Sequence, residues 1–129
     1  MSNYTFGKTV NLDFTAAVDK VTQALAAQGF GVLSEIDVAA TMKKKLDVDM
    51  PPYKILGACN PQFAQQAIAA EPQIGALLPC NVVVRADAAG AIHVEFMDPS
   101  AVLTLVDKPA VSALAGEVRQ RLQQVLAAM

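Results

Sequence analysis

With 129 residues, 53% apolar side chains and a formal net charge of −2, the chain fits one domain over residues 1–129, with a core large enough to need neither disulfides nor a structural metal. Its apolar runs, such as Gly75 to Leu78 and Val82 to Val84, fall far below the ~20 residues of a membrane span, and its start lacks a basic segment followed by an apolar one, so the reading is cytoplasmic with no membrane partner. Tryptophan is absent, and the only cationic run, Lys43 to Lys45, is followed by Asp47 and Asp49, which argues against a nucleic-acid partner.

Residues Tyr4 to Val10 alternate enough to predict a first strand. Asp13 or Thr15 can cap a helix with Phe14, Ala17, Val18, Val21 and Leu25 on one face, and Gly29 stands where a left-handed residue stops it. Phe30 to Ile36 resumes as a strand with Phe30, Val32, Ser34 and Ile36 on one side. Asp37 can cap a short helix over Val38 to Leu46, which carries the three lysines as a solvated face and ends before Pro51-Pro52.

Tyr53 to Cys59 is mostly apolar, as a strand covered on both faces would be. Asn60-Pro61 starts a helix, with asparagine as N-cap and proline at the first helical position, where its missing N–H costs nothing. Glu71-Pro72 ends that helix, and Gln73 to Pro79 reads as an irregular return loop. Asn81 to Ala86 and Ala91 to Phe96 read as two strands of a hairpin joined at Asp87 to Gly90, with Val82, Val84, Ile92, Val94 and Phe96 sharing inward faces. Asp98-Pro99 breaks the second strand, a short apolar segment runs from Ala101 to Val106, and a last helix begins at Asp107-Lys108-Pro109. Its apolar stripe is Val111, Leu114, Val118, Leu122, Val125 and Met129.

Runs of strands with helices set to one side indicate an α+β domain. A helix of about 11 residues advances roughly 16 Å, and a seven-residue loop reaches up to roughly 25 Å, so the chain after Cys59 can return to the edge it left. Cys59 and Cys80 would then lie at one end of the sheet. A parallel crossover would instead put them at opposite ends.

Cys59 precedes a helix start, whose partial positive charge favours a thiolate and hence a soft metal or an electrophile. The competing reading of both cysteines is small buried side chains that fill space. As a pair they permit a disulfide, two metal ligands such as those of Cu(I) or zinc, or a redox or sulfur-handling dithiol. Asp37 is most simply a cap, but a carboxylate near the cysteines could orient a ligand. His93 reads as a solvent-facing strand residue beside Glu95. No P-loop, dinucleotide fingerprint or nucleophile-elbow motif occurs.

The run Tyr53-Lys-Ile-Leu-Gly-Ala-Cys59-Asn60-Pro61, the segment Leu78-Pro79-Cys80-Asn81-Val82 and the later Asp98-Pro99 resemble the bacterial and archaeal family called domain of unknown function 302, DUF302. Glu35-Ile36-Asp37 and the lysine-bearing helix extend the resemblance, which runs from about Phe6 to the last helix. It implies a curved, largely antiparallel sheet with helices packed on one face, similar to the TATA-binding-protein group, and a homodimer. It implies no activity. The family's characteristic positions correspond to Asp37, Cys59, Asn60, Pro61, Pro79 and Cys80.

The reading adopted is a binding module whose site holds Cys59, Cys80, Asn60 and Asp37. Its ligand would be a small thiol-reactive molecule or a soft metal ion on Cys59 and Cys80. The alternative is a structural or interaction protein whose cysteines only pack. A thiol-dependent enzyme comes third, because no general base but distant His93 is on offer.

Overall fold

A computed structural model describes residues 3–129. In chain order the elements are β1 (Thr5–Val10), α1 (Phe14–Ala27), β2 (Gly31–Asp37), α2 (Val38–Leu46), β3 (Tyr53–Cys59), α3 (Pro61–Ala70), β4 (Cys80–Ala86), β5 (Ile92–Met97), α4 (Pro99–Val102) and α5 (Pro109–Ala127). The strands form one sheet in the order β1-β5-β4-β3-β2, and every neighbouring pair is antiparallel. This is an α+β fold with helices packed on the sheet.

Local chemistry sets the helix limits. Asp13 starts α1 by accepting a 2.7 Å hydrogen bond from the Ala16 N–H. The helix stops at Gly29, whose φ of 83° suits a residue with no Cβ. Ala17, Val18, Val21 and Leu25 of α1 are buried, as their helical spacing predicts. In α5 the buried stripe is Val111, Ala115, Val118, Leu122 and Val125. Leu114, expected in that stripe, is half-buried, and Ala115 takes the inner position.

These two helices cover one face of the sheet. Val82 and Val84 of β4, Val94 and Phe96 of β5 and Leu56 of β3 are fully buried beneath them. Each such side chain contributes about 1.5–3 kcal/mol through burial, against tenths to one or two for a cap, so packing rather than capping holds the helices in place. A second, smaller core joins Ala67 of α3, Ile74, Leu103, Val111 and Ala115.

The structure departs from the sequence-based expectation in three places. Gln73 to Pro79 is not irregular: Pro72–Leu77 forms a 3-10 helix that buries Ile74 against the second core. Strand β2 does not keep one alternation. A register shift between Val32 and Ser34 bulges it at Leu33, so Val32 pairs with Ala58 while Ser34 pairs with Gly57 on the other face. The apolar segment 101–106 contains the end of α4 and a 3-10 turn over Leu103–Leu105.

Asp37 is displaced from the site expected for it. It pairs with Lys54, five residues along β3 from Cys59, or roughly 17 Å at strand spacing. Its Oδ1 accepts from the Ala40 N–H at 2.9 Å and caps α2. The reason is antiparallel pairing: β2 starts beside Cys59 and carries its last residue to the far end of the sheet.

Candidate functional site

The chain leaves β3 at Cys59, runs through α3 and the following 3-10 helix, and re-enters the sheet at Cys80. Because β4 is antiparallel to β3, Cys80 lands opposite Ala58. Both cysteines therefore lie at the same end of the sheet, and the parallel crossover is excluded. Asn60 caps α3, its Oδ1 accepting from the Phe63 N–H at 3.4 Å, and Pro61 follows in the first turn.

Between this excursion and the sheet is an open cavity of about 400 Å³. Its floor is Ala58, Cys59 and Cys80 at the sheet end. Phe63, Ala64, Ala67 and Ile68 of α3 form one wall, and Leu114 and Val118 of α5 with Leu103 form another. Phe30, Leu33 and Ser34 close the β2 side, and Leu78 and Pro79 the side of the returning chain. The volume falls within the range of small-molecule sites. No charged residue lines it, and the polar or thiol-bearing residues of its lining are Cys59, Cys80, Ser34 and Asn60.

The two cysteines are both free but differ in environment: Cys59 is half-buried and Cys80 is buried. Burial, with a smaller contribution from the nearby Cys59, pushes the Cys80 thiol up to about 11. It is therefore a neutral thiol at neutral pH, and a metal bound there would have to displace its proton. No group of three or more His, Cys, Asp and Glu suited to a metal ion occurs among the described residues.

Gly57 allows the returning chain to cross the sheet closely. A Cβ there would fall on the Ser34 Oγ and lie 2.9 Å from the Pro79 Cγ. Glycine at this position lets the bulged strand and the Leu78-Pro79 segment meet over β3.

His93 lies outside the site. It is on the face of the sheet opposite the main core, at the end away from the cysteines, and its Nε2 is 2.7 Å from Asp87 Oδ2. That hydrogen bond, with others from the Ala91 and Ala89 N–H groups, holds the Asp87 carboxyl below the usual carboxylate range. Lys43 pairs with Asp47 at 2.7 Å and Asp49 at 3.3 Å on the exposed surface of α2, as the solvated-face reading expects.

Of the four expected site residues, the structure brings Cys59, Cys80 and Asn60 to one cavity and leaves Asp37 out. The sequence reading missed Ser34, placed here by the bulge, whereas Arg121, half-buried on α5, lies outside the lining. The Arg121 guanidinium lies 5.2 Å from the centroid of the Phe63 ring, and its Nη1 donates to the Gln28 carbonyl at 3.3 Å.

Comparison with known proteins agrees with this geometry. The crystal structure of an uncharacterised conserved DUF302 protein from Bacillus stearothermophilus superposes with a TM-score of 0.91 at 25% identity, covering 98% of each chain. A search of curated proteins gives no match. The family described as Domain of unknown function DUF302 matches residues 6–129. Five antiparallel strands, the Asn60-Pro61 helix start and the return through Pro79 to Cys80 thus belong to a protein of the DUF302 family.

Proposed function

We propose that the protein is a binding module for a small, largely apolar, thiol-reactive ligand held in the cavity at the cysteine end of the sheet. The observation that carries this reading is the joint presence of Cys59 and Cys80 in a cavity of about 400 Å³ without a charged lining residue. An uncharged wall favours apolar bodies, because a charge moved there loses hydration without gaining a partner. Cys59 is the accessible thiol and Cys80 the neutral inner one. A ligand with a polarised double bond would react reversibly by addition: the Cys59 sulfur bonds to carbon, the π bond breaks, and the thiol proton ends on the ligand.

The soft-metal reading stays second. Its support is limited to two cysteines among the residues that line one cavity. Against it stand the missing third ligand and the raised Cys80 pKa. The homodimer implied by the family resemblance belongs to this proposal too, with edge strand β2, where Leu33 and Ile36 are 73% and 50% exposed, as its surface.

The test is alkylation by N-ethylmaleimide at pH 7, read by intact mass, for the protein and for Cys59→Ser. The expected result is one fast adduct on Cys59, slowed by small apolar compounds, and none on the variant. Fast labelling of Cys59→Ser, or labelling that no apolar compound slows, would remove the reading. Parallel Cu(I) titration of both proteins decides on the metal, which requires binding that depends on Cys59.

A further inference from the structure

We infer that the ligand of this cavity is a conjugated enone or enal, its β-carbon at Cys59 and its carbonyl oxygen bound by the Ser34 hydroxyl. This rests on the proposal above that the cavity takes a thiol-reactive ligand, and it names the group that makes that ligand reactive.

Ser34 is the polar lining residue left free for a ligand. Asn60 also lines the cavity, but its Oδ1 accepts from the Phe63 N–H and its Nδ2 packs against the backbone at Gly29. Cys80 is buried opposite Ala58. The Ser34 hydroxyl has no hydrogen-bond partner among the described residues. Ser34 is itself exposed on the edge strand β2.

The sheet register puts this hydroxyl on the same face as Cys59. Ser34 pairs with Gly57, and Gly57 and Cys59 are alternate residues of β3, so the three share one face. A Cβ at Gly57 would fall on Ser34 Oγ and lie 2.9 Å from Pro79 Cγ, which locates the hydroxyl above Gly57 and beside Pro79, another lining residue. Two residues of strand separate that point from Cys59, or roughly 7 Å. An enone covers the interval: its β-carbon and oxygen lie about 3.5 Å apart, and a C–S bond at one end with a hydrogen bond at the other extends the reach to about 8 Å.

The addition uses that donor. As the Cys59 sulfur bonds to the β-carbon, the π pair of the double bond moves through the conjugated system to the carbonyl oxygen. The Ser34 O–H donates to this enolate oxygen as its charge develops. The thiol proton, by way of water, ends on the α-carbon, and reversal returns the enone and the thiol. A single neutral donor suits a neutral carbonyl, whereas an unsaturated carboxylate would bring a charge that no lining residue meets.

Reaction with pentyl vinyl ketone and with pentyl iodide, followed by intact mass at pH 7, tests this on the whole protein, Ser34→Ala, Cys59→Ser and Ala64→Leu. The iodide alkylates a thiol but has no carbonyl. Both compounds should modify Cys59. Ser34→Ala should slow the ketone about tenfold or more, the usual worth of a hydrogen bond to a charged oxygen, and leave the iodide rate unchanged, which also reports an intact site. A ketone rate that Ser34→Ala leaves alone, or that falls no more than the iodide rate, would overturn the carbonyl contact and leave the cavity reading standing. Modification of Cys59→Ser as fast as that of the parent, or no modification of the parent by either compound, would overturn both. Slower reaction of both compounds with Ala64→Leu would locate them in the cavity, and unchanged rates would place the reaction on the outer surface and overturn the inference.

Discussion

Cys59 and Cys80 carry one kind of side chain into two environments, and the difference has a pH signature. The Cys80 thiol rises from its ordinary value of 9.0 to about 11, first because burial opposes the thiolate and then because Cys59 is near. The unfolded chain therefore loses this proton at lower pH than the folded one. Stability from the buried neutral thiol is complete below pH 9 and is lost as pH rises toward 11, by about 3 kcal/mol at most. Urea unfolding at pH 8 and pH 10.5 should show a larger drop for the protein than for Cys80→Ala. Equal drops would mean that Cys80 reaches water freely. Both cysteines were legible as residues in the sequence, and Asn60 even as a cap, because that signal is local. The assignment of Asp37 to the same site failed because a strand's direction decides which of its ends meets a cysteine, and one residue's type does not encode direction.

At the level of elements, alternation made β4 and β5 readable, and the proline-marked helix starts did the same for α3 and α5. The bulge in β2 was not readable, since Val32, Leu33 and Ser34 fit either phase and only pairing with β3 decides. The joint at Asp98 shows a similar limit. Asp98 accepts from the Ser100 N–H at 2.9 Å to cap α4, and both its oxygens accept from Arg119 Nε of α5, at 3.1 and 3.0 Å. Arg119 in turn lies 5.2 Å from the centroid of the Phe6 ring in β1. One carboxylate thus ties β5, α4, α5 and indirectly β1, which its Asp-Pro context alone announces only as a strand end. Asp98→Ala should cost about 2 kcal/mol, combining a cap with a partly buried charged bond. A urea midpoint within error of the parent's would show the joint to be energetically idle. Glycine positions make a second test of strand packing. A Cβ at Gly7 of β1 would fall on the Val94 carbonyl oxygen, whereas one at Gly31 meets nothing within 4 Å. Gly7→Ala should therefore destabilise by about 1–3 kcal/mol, and Gly31→Ala by much less. Similar losses at the two sites, measured by thermal unfolding, would count against the β1–β5 register.

In the whole molecule, the cavity is a seam between two cores. Phe30, Ala58, Cys80 and Val118 belong to the main core under α1 and α5, while Ala67 and Leu103 belong to the smaller one under α3. All six line the cavity. The excursion from Cys59 to Cys80 builds its own small core instead of sealing onto the sheet, and what remains between is an open cavity. A seam of this kind is invisible to local pattern, because every wall residue reads as ordinary core and the void exists only in the spacing of the elements. It also sets a conflict between stability and binding. Filling the seam should stabilise the empty protein, since atoms lining a void lack contacts on one side. Ala64 is half-buried on the cavity wall, and leucine is nearly as good a helix former as alanine. Ala64→Leu should accordingly gain about 0.5–2 kcal/mol in urea unfolding without ligand, while binding small apolar compounds less tightly than the parent. A stability gain without loss of binding would separate the void from the ligand site. A loss of stability would mean that the two cores already meet at the position of Ala64 and leave no room for a guest there.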